Sequence, residues 1–511
     1  AAIASSSNTS GTPTLSGTTR RTTSAGSATF NDLTVTGGTG TFTLSFTPVL
    51  ASDMTNASVA SAQTTGSYNV QAGDPSSLTI ATAPAGGRSG LAFTTQPVIN
   101  IRDVGGNLVQ TSPGNQLAVT ASLTGGTGSL VGTTTVNAVN SVATFTNLGI
   151  AGLVSGTYQI TFTATFNSTA LTVAQSSITI THGNASQLSI STPAAGAASG
   201  VAFTTQPVVR VLDAQGNLVA NSGVTITAST TSTNATLGGT LTRAAVNGEA
   251  TFSNLAFTGT VGTQLLNFDS TGLTGTGQNV TLVNGAIDRI AVTVSSTATV
   301  DVAFAQQPEV TFYDSANNVV TTGTGSNATV TLSSTGLTGT PLTLAATNGV
   351  ATFSGLKLVT TVGNKTLTAS ISSPVSKTAT ASITLSAGAP TQLGTFQALD
   401  ATTNRTNFVA QPIIDILDVA GNRTTSTANV TATITSTGGS IALGGTTTVA
   451  AVNGRATFTD LQPQGKVGTI TVSFASTGLT GVSQQDTLAH GASSSLIVRI
   501  GSTAQTNAEI G

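Results

Sequence analysis

The chain has 511 residues and a formal net charge of −2, with 6% charged and 38% apolar residues, whereas an ordinary soluble domain is about a quarter charged. Its 15 Lys and Arg include one adjacent pair, Arg20-Arg21. That excludes the clustered cations of a nucleic-acid or anionic-membrane surface. No apolar run approaches the ~20 residues of a membrane-spanning helix, and with no Cys there is no disulfide or thiolate chemistry.

Residues 1–73 introduce an element that recurs, Ala28-Thr29-Phe30 followed by Leu33. Four longer stretches follow, 74–183, 184–285, 286–388 and 389–491, each carrying four landmarks in one order. The first is a short apolar alternation: Leu78-Thr79-Ile80, Leu188-Ser189-Ile190, Ile290-Ala291-Val292 and Leu393-Gly394-Thr395-Phe396. The second is a Phe-x-x-Gln-Pro element starting at Phe93, Phe203, Phe304 and Phe408. The proline lacks an N–H and suits the start of a strand. Period-two patterning follows it. Ile99/Ile101, Val209/Val211, Val310/Phe312 and Ile414/Ile416 are expected to face a core, with Asn100, Arg210, Thr311 and Asp415 facing out.

The third landmark is a turn opened by Asp103, Asp213, Asp314 or Asp418 and closed by Asn107, Asn217, Asn318 or Asn422. Asp at the head of a turn hydrogen-bonds its own backbone, and Gly or Asn supplies positive φ. The fourth is Ala-Thr-Phe with a following Leu. Its phenylalanines, Phe145, Phe252, Phe353 and Phe458, stand 107, 101 and 105 residues apart and are the expected core anchors of a chain without Trp. Units close on Gly73, Gly183, Gly285, Gly388 and Gly491. The next strand begins within a few residues, so the linkers restrict bending.

Many short alternating strands with regularly spaced turns predict an all-β chain of tandem sandwiches forming an elongated rod. The units resemble the bacterial Ig-like repeats of large secreted and surface proteins, the invasin/intimin-like and "Big" group. Ala92-Phe93-Thr94-Thr95-Gln96-Pro97 with Asp103 and Asn107, and Val246-Asn247-Gly248 with Thr251-Phe252 and Leu255, carry the likeness. The resemblance implies an Ig-like fold and an extracellular or cell-surface location. It leaves function open, since such repeats serve as stalks, adhesins, filament subunits and surface layers.

Residues 1–73 match only the later part of a unit, and 492–511 only its first strand, with Leu496, Val498 and Ile500 on one face. Two readings stay open. In one, that strand completes the incomplete N-terminal sandwich of another copy. In the other, the sequence is an excerpt of a longer repeat protein. Tail and head together would still lack a Gln-Pro strand and an Asp turn.

Catalytic signatures are missing. There is no GxSxG, Walker loop, HExxH or CxxC, and His182 and His490 each precede a closing glycine. No enzyme is expected and no cofactor is required. Calcium favours several carboxylates, and Asp415 with Asp418 is the one local pair. Internal Lys isopeptide bonds cannot be general, because all four lysines (Lys357, Lys365, Lys377, Lys466) lie beyond residue 285. Eleven Asn-x-Ser/Thr sites could carry glycans in a secreted setting: Asn8, Asn56, Asn167, Asn184, Asn234, Asn279, Asn327, Asn364, Asn404, Asn422 and Asn429.

The expected function is a self-assembling extracellular structural protein, a filament, sheath or surface layer. Copies of the chain are its partners, and it takes no nucleic acid and no direct membrane insertion. The alternative is a stalk segment of a large adhesin. Three Tyr and no Trp leave little material for a carbohydrate-binding platform.

Overall fold

A computed structural model describes residues 1–10, 12–49, 61–400 and 402–492. Among these the chain is built from β-strands, with one short 3₁₀ turn at Gly114–Gln116. Four separate apolar cores follow one another, spanning Leu78 to Ile180, Leu188 to Leu282, Ile287 to Leu385 and Leu393 to Leu488. We call the modules around them units 1 to 4, and residues 1–73 the N-terminal unit.

Unit 2 shows the plan. Its smaller sheet joins Gln187–Thr192, Val208–Leu212 and Glu249–Thr251, all antiparallel. Its larger sheet has Thr225–Ser229, Gly262–Asp269 and Thr276–Val283 as neighbours. The alternation after Gln-Pro aims Val209 and Val211 inward, where they meet Leu266 and Phe268 of the larger sheet. The inward pairs named from the sequence are fully buried in all four units. Phe145, Phe252 and Phe458 stack tilted against Phe162, Phe268 and Phe474, with ring centroids 5.4–5.5 Å apart. Such anchors are each worth about 1.5–3 kcal/mol of apolar burial.

The opening strand changes sheets. After Thr192 the chain crosses over, and Ala197–Ala198 pairs in parallel with the end of the closing strand at Leu282 and Val283. The same crossing pairs Gly87–Arg88 with Ile180–Thr181, Thr297–Thr299 with Lys377–Ser386, and Thr402–Thr403 with Val482–Ala489. First and last strands of a unit are therefore clamped side by side.

The glutamine of the Gln-Pro element is a brace. Gln206 donates from Nε2 to the carbonyls of Phe203 (3.1 Å) and Leu255 (3.0 Å), and its Oε1 accepts the Leu255 N–H at 2.9 Å. Gln96, Gln307 and Gln411 repeat all three bonds. Each ties the Phe anchor of one sheet to the Leu that follows Ala-Thr-Phe.

The N-terminal unit lacks that arrangement. Ala2–Ser10, Thr39–Phe46, Gln63–Thr64 and Tyr68–Val70 make one sheet, and Thr14–Ser16 pairs with Thr34–Thr36. Ala-Thr-Phe is a strand edge in units 1 to 4, paired to the Gln-Pro strand. Here Ala28-Thr29-Phe30 forms no strand. Phe30 is half-buried against Phe46, 4.9 Å away, whereas its four counterparts are 1% exposed.

One outward residue is nonetheless buried. Asp415 lies on the outer face of the smaller sheet yet is buried, because Arg455 grips both its oxygens at 2.7 and 2.8 Å and stacks beneath the exposed Phe396 ring.

Candidate functional site: the joints between units

The Asp turns stand where one unit meets the one before it. In unit 2 the Asp213 Oδ1 accepts the N–H groups of Gln215 (3.0 Å) and Asn217 (2.8 Å). Its Oδ2 accepts the N–H of Gly183, the glycine closing unit 1, at 2.7 Å, and the Asn217 Nδ2–H at 2.8 Å. Asp314 and Asp418 repeat these contacts with Gly285 and Gly388, each bonded at 2.8–3.0 Å. Asp103 takes Gly73 at 2.9 Å and Asn107 twice.

The asparagine completes the joint. Asn217 Nδ2 donates to the Gly152 carbonyl of unit 1 at 2.9 Å, and Asn217 Oδ1 accepts the Val154 N–H at 2.9 Å. Asn318 does the same to Gly259 (2.8 Å) and Val261 (3.0 Å) of unit 2. Asn422 does it to Thr360 (3.0 Å) and Val362 (2.9 Å) of unit 3. At the first joint Gly105 of the turn lies against Gly37 of the N-terminal unit, an added Cβ standing 3.0 Å from the Gly37 nitrogen. Positive φ in the turn comes from Gly106, Gly216, Asn317 and Gly421. The final Asn is thereby left free to reach across.

The four aspartates are 0–5% exposed, and no cation pairs with them among the described ion pairs. Burial pushes each carboxyl up. Hydrogen bonds from the Asn side chain and the backbone N–H groups outweigh it and hold all four below the ordinary aspartate range. A carboxylate wrapped in N–H dipoles is a fixed anchor rather than a reactive acid.

Backbone fit is as tight. A Cβ on Gly183, Gly285 or Gly388 would press into the carbonyl oxygen of Ser89, Ser199 or Val300. The Ser89 and Ser199 hydroxyls also accept the N–H of Gly152 and Gly259, the residues that receive Asn217 and Asn318.

At the one local carboxylate pair both members already have partners. Asp415 is occupied by Arg455 and Asp418 by four nitrogen donors, the backbone N–H groups of Gly388, Ala420 and Asn422 and the Asn422 Nδ2, which reaches both its oxygens. Among the described residues no group of three or more His, Cys, Asp or Glu could hold a metal. His182 sits at the first full joint with its carbonyl accepting from Arg88 Nε at 3.4 Å.

The glycosylation candidates divide. Asn167, Asn184, Asn234, Asn279, Asn327, Asn364 and Asn429 are exposed, and Asn404 is half-buried with its Oδ1 on the Gly465 N–H. Asn422 is the correction. It is buried, and its Nδ2 is committed to Asp418 and Thr360, so the folded joint has no room for a sugar there. Asn56, the Asn8 side chain and the strand bearing Leu496, Val498 and Ile500 lie outside the described residues.

Sequence reasoning found the Asp turn but gave the closing Asn only a turn role. The available signal was its occurrence in all four copies, although positive φ is supplied one residue earlier.

No protein-family model matches the chain, and no curated protein sequence matches it. Among solved structures it is similar to FdeC, an Escherichia coli adhesin, at 17% identity over 61% of this chain and 99% of that one, with a TM-score of 0.28. It is similar to domains 4–9 of the surface layer protein SbsC at 17% identity over 89% of this chain and 69% of that one, with a TM-score of 0.20. Extracellular cadherin domains 1–4 of protocadherin gamma B7 match at 10% identity over 73% and 92%, with a TM-score of 0.28. What these proteins bind or build is not transferred to this chain, which by its strand topology is a tandem array of Ig-like β-sandwiches.

Proposed function

We propose that the chain is a non-catalytic extracellular structural protein that holds its sandwiches in a fixed succession and assembles head to tail into a filament, sheath or surface layer. The observation that carries this reading is the joint itself. The same buried Asp–Asn device ties unit 2 to 1, 3 to 2 and 4 to 3. Repeated stiffening of linkers suits a load-bearing or spacing role. Surface neutrality supports close packing of copies, since 6% charge gives little mutual repulsion.

The incomplete N-terminal unit is the receiving end in this reading. Its half-buried Phe30 and unpaired Ala28-Thr29-Phe30 edge are what an added strand would cover. The strand with Leu496, Val498 and Ile500 is the donor. Multi-angle light scattering of the full chain tests the assembly: mass should grow with concentration, and Val498→Asp should abolish the growth. A strictly monomeric chain at every concentration defeats self-assembly. It leaves the second reading, a surface stalk segment, which the stiff joints also favour.

A further inference from the structure

Gly491 closes unit 4 as Gly183, Gly285 and Gly388 close the units before it. A Cβ on Gly491 would press into the Asn404 carbonyl, the counterpart of Ser89, Ser199 and Val300. The hairpin that receives the asparagine is repeated as well. Gly259 sends its N–H to Ser199 Oγ, and the next N–H, of Thr260, crosses to the Asn234 carbonyl. Gly465 likewise sends its N–H to Asn404 Oδ1, and that of Lys466 crosses to Ser440. Gly465 and Val467 therefore occupy the places of Gly259 and Val261.

In the three filled joints these places are bonded by the next unit's Asn, and the closing glycine by its Asp. In unit 4, among the described residues, the Gly465 carbonyl, the Val467 N–H and the Gly491 N–H have no partner. The four turns of this chain each sit against the unit before them, so filling these places takes a further turn of the same kind.

We propose that the end of unit 4 is a binding site for an Asp-x-x-Gly-Asn turn carried by a further β-sandwich unit. The carboxylate takes the Gly491 N–H, the amide NH₂ donates to the Gly465 carbonyl, and the amide oxygen takes the Val467 N–H. The ligand class is a rigid polar hairpin tip, selected by a two-sided amide match and by one buried anion on a backbone N–H. This rests on the joint being the structural device proposed above, but it requires no polymerisation of the chain.

The test uses the full chain and a backbone-cyclised peptide of residues 211–219, which form the turn in unit 2. Hydrogen exchange at Val467 and Gly491 is followed with and without peptide. We expect both amides to slow by roughly tenfold or more with the peptide, and a peptide carrying Asn217→Ala to leave them unchanged. No slowing at millimolar peptide, or equal slowing by the Ala peptide, overturns the site. A chain that stays monomeric in light scattering yet shows this protection refutes self-assembly and keeps the site.

Discussion

Asn217 donates its amide to the Gly152 carbonyl of the preceding sandwich at 2.9 Å while its other N–H stays on Asp213, 2.8 Å away. One planar side chain thus fastens a turn internally and a joint externally. Asn217→Ala strands the Val154 N–H, strips part of a carboxylate shell and leaves the buried Gly152 carbonyl with the Ser89 hydroxyl as its one described donor, at a cost of about 1–3 kcal/mol. Denaturant unfolding should show that loss, and small-angle scattering should show wider interunit motion. Asn217→Asp should do worse, since it sets a second carboxylate beside Asp213.

The joint glycines separate sterics from conformational preference. Gly183→Ala drives a Cβ into the Ser89 carbonyl, whereas Gly216→Ala meets open space and suffers only from φ +86. We expect about 1–2 kcal/mol for Gly216→Ala and a clearly larger loss for Gly183→Ala, read as midpoints of chemical unfolding.

Acid should loosen the joints. The four aspartates have folded-state pKa values below the unfolded reference of about 3.9. Their contribution is full above that reference and fades as pH falls through the lower folded values. Stability should be flat near neutrality and drop below about pH 4, with the drop reduced in a chain carrying Asp213→Asn.

The Phe anchors should divide by unit. Phe252→Ala empties a complete core and should cost about 3–5 kcal/mol. Phe30→Ala should cost far less in an isolated chain, because Phe30 is only half-buried. An equal cost at both positions would mean the N-terminal core is closed.

Much of the fold was legible because it is periodic. The residues flanking Asn100, Arg210 and Thr311 turned inward as alternation requires. Asp415 keeps the outward side of that pattern but is buried there, because its neighbour on the sheet, Arg455, neutralises and covers it. The joint was less legible. Its receiving groups, the Gly152 carbonyl and Val154 N–H, are backbone atoms about sixty residues from Asn217, and backbone atoms leave no side-chain signature. The Gln brace was hidden in the same way, since three of its bonds end on main chain.

That backbone character has a consequence for how such an array can change. The incoming unit brings the Asp and Asn side chains, and the outgoing unit answers mainly with main-chain groups, the carbonyl of Gly at two joints and of Thr360 at the third, and with a closing glycine that has no room for a side chain. Order is therefore encoded in few matched side chains, Ser89 with Gln215 at the first full joint being one such pair. A module that carries the Asp–Asn turn at one end and a closing glycine at the other meets the main demands of a junction on both sides, so gain or loss of whole modules would adjust reach in steps of one sandwich.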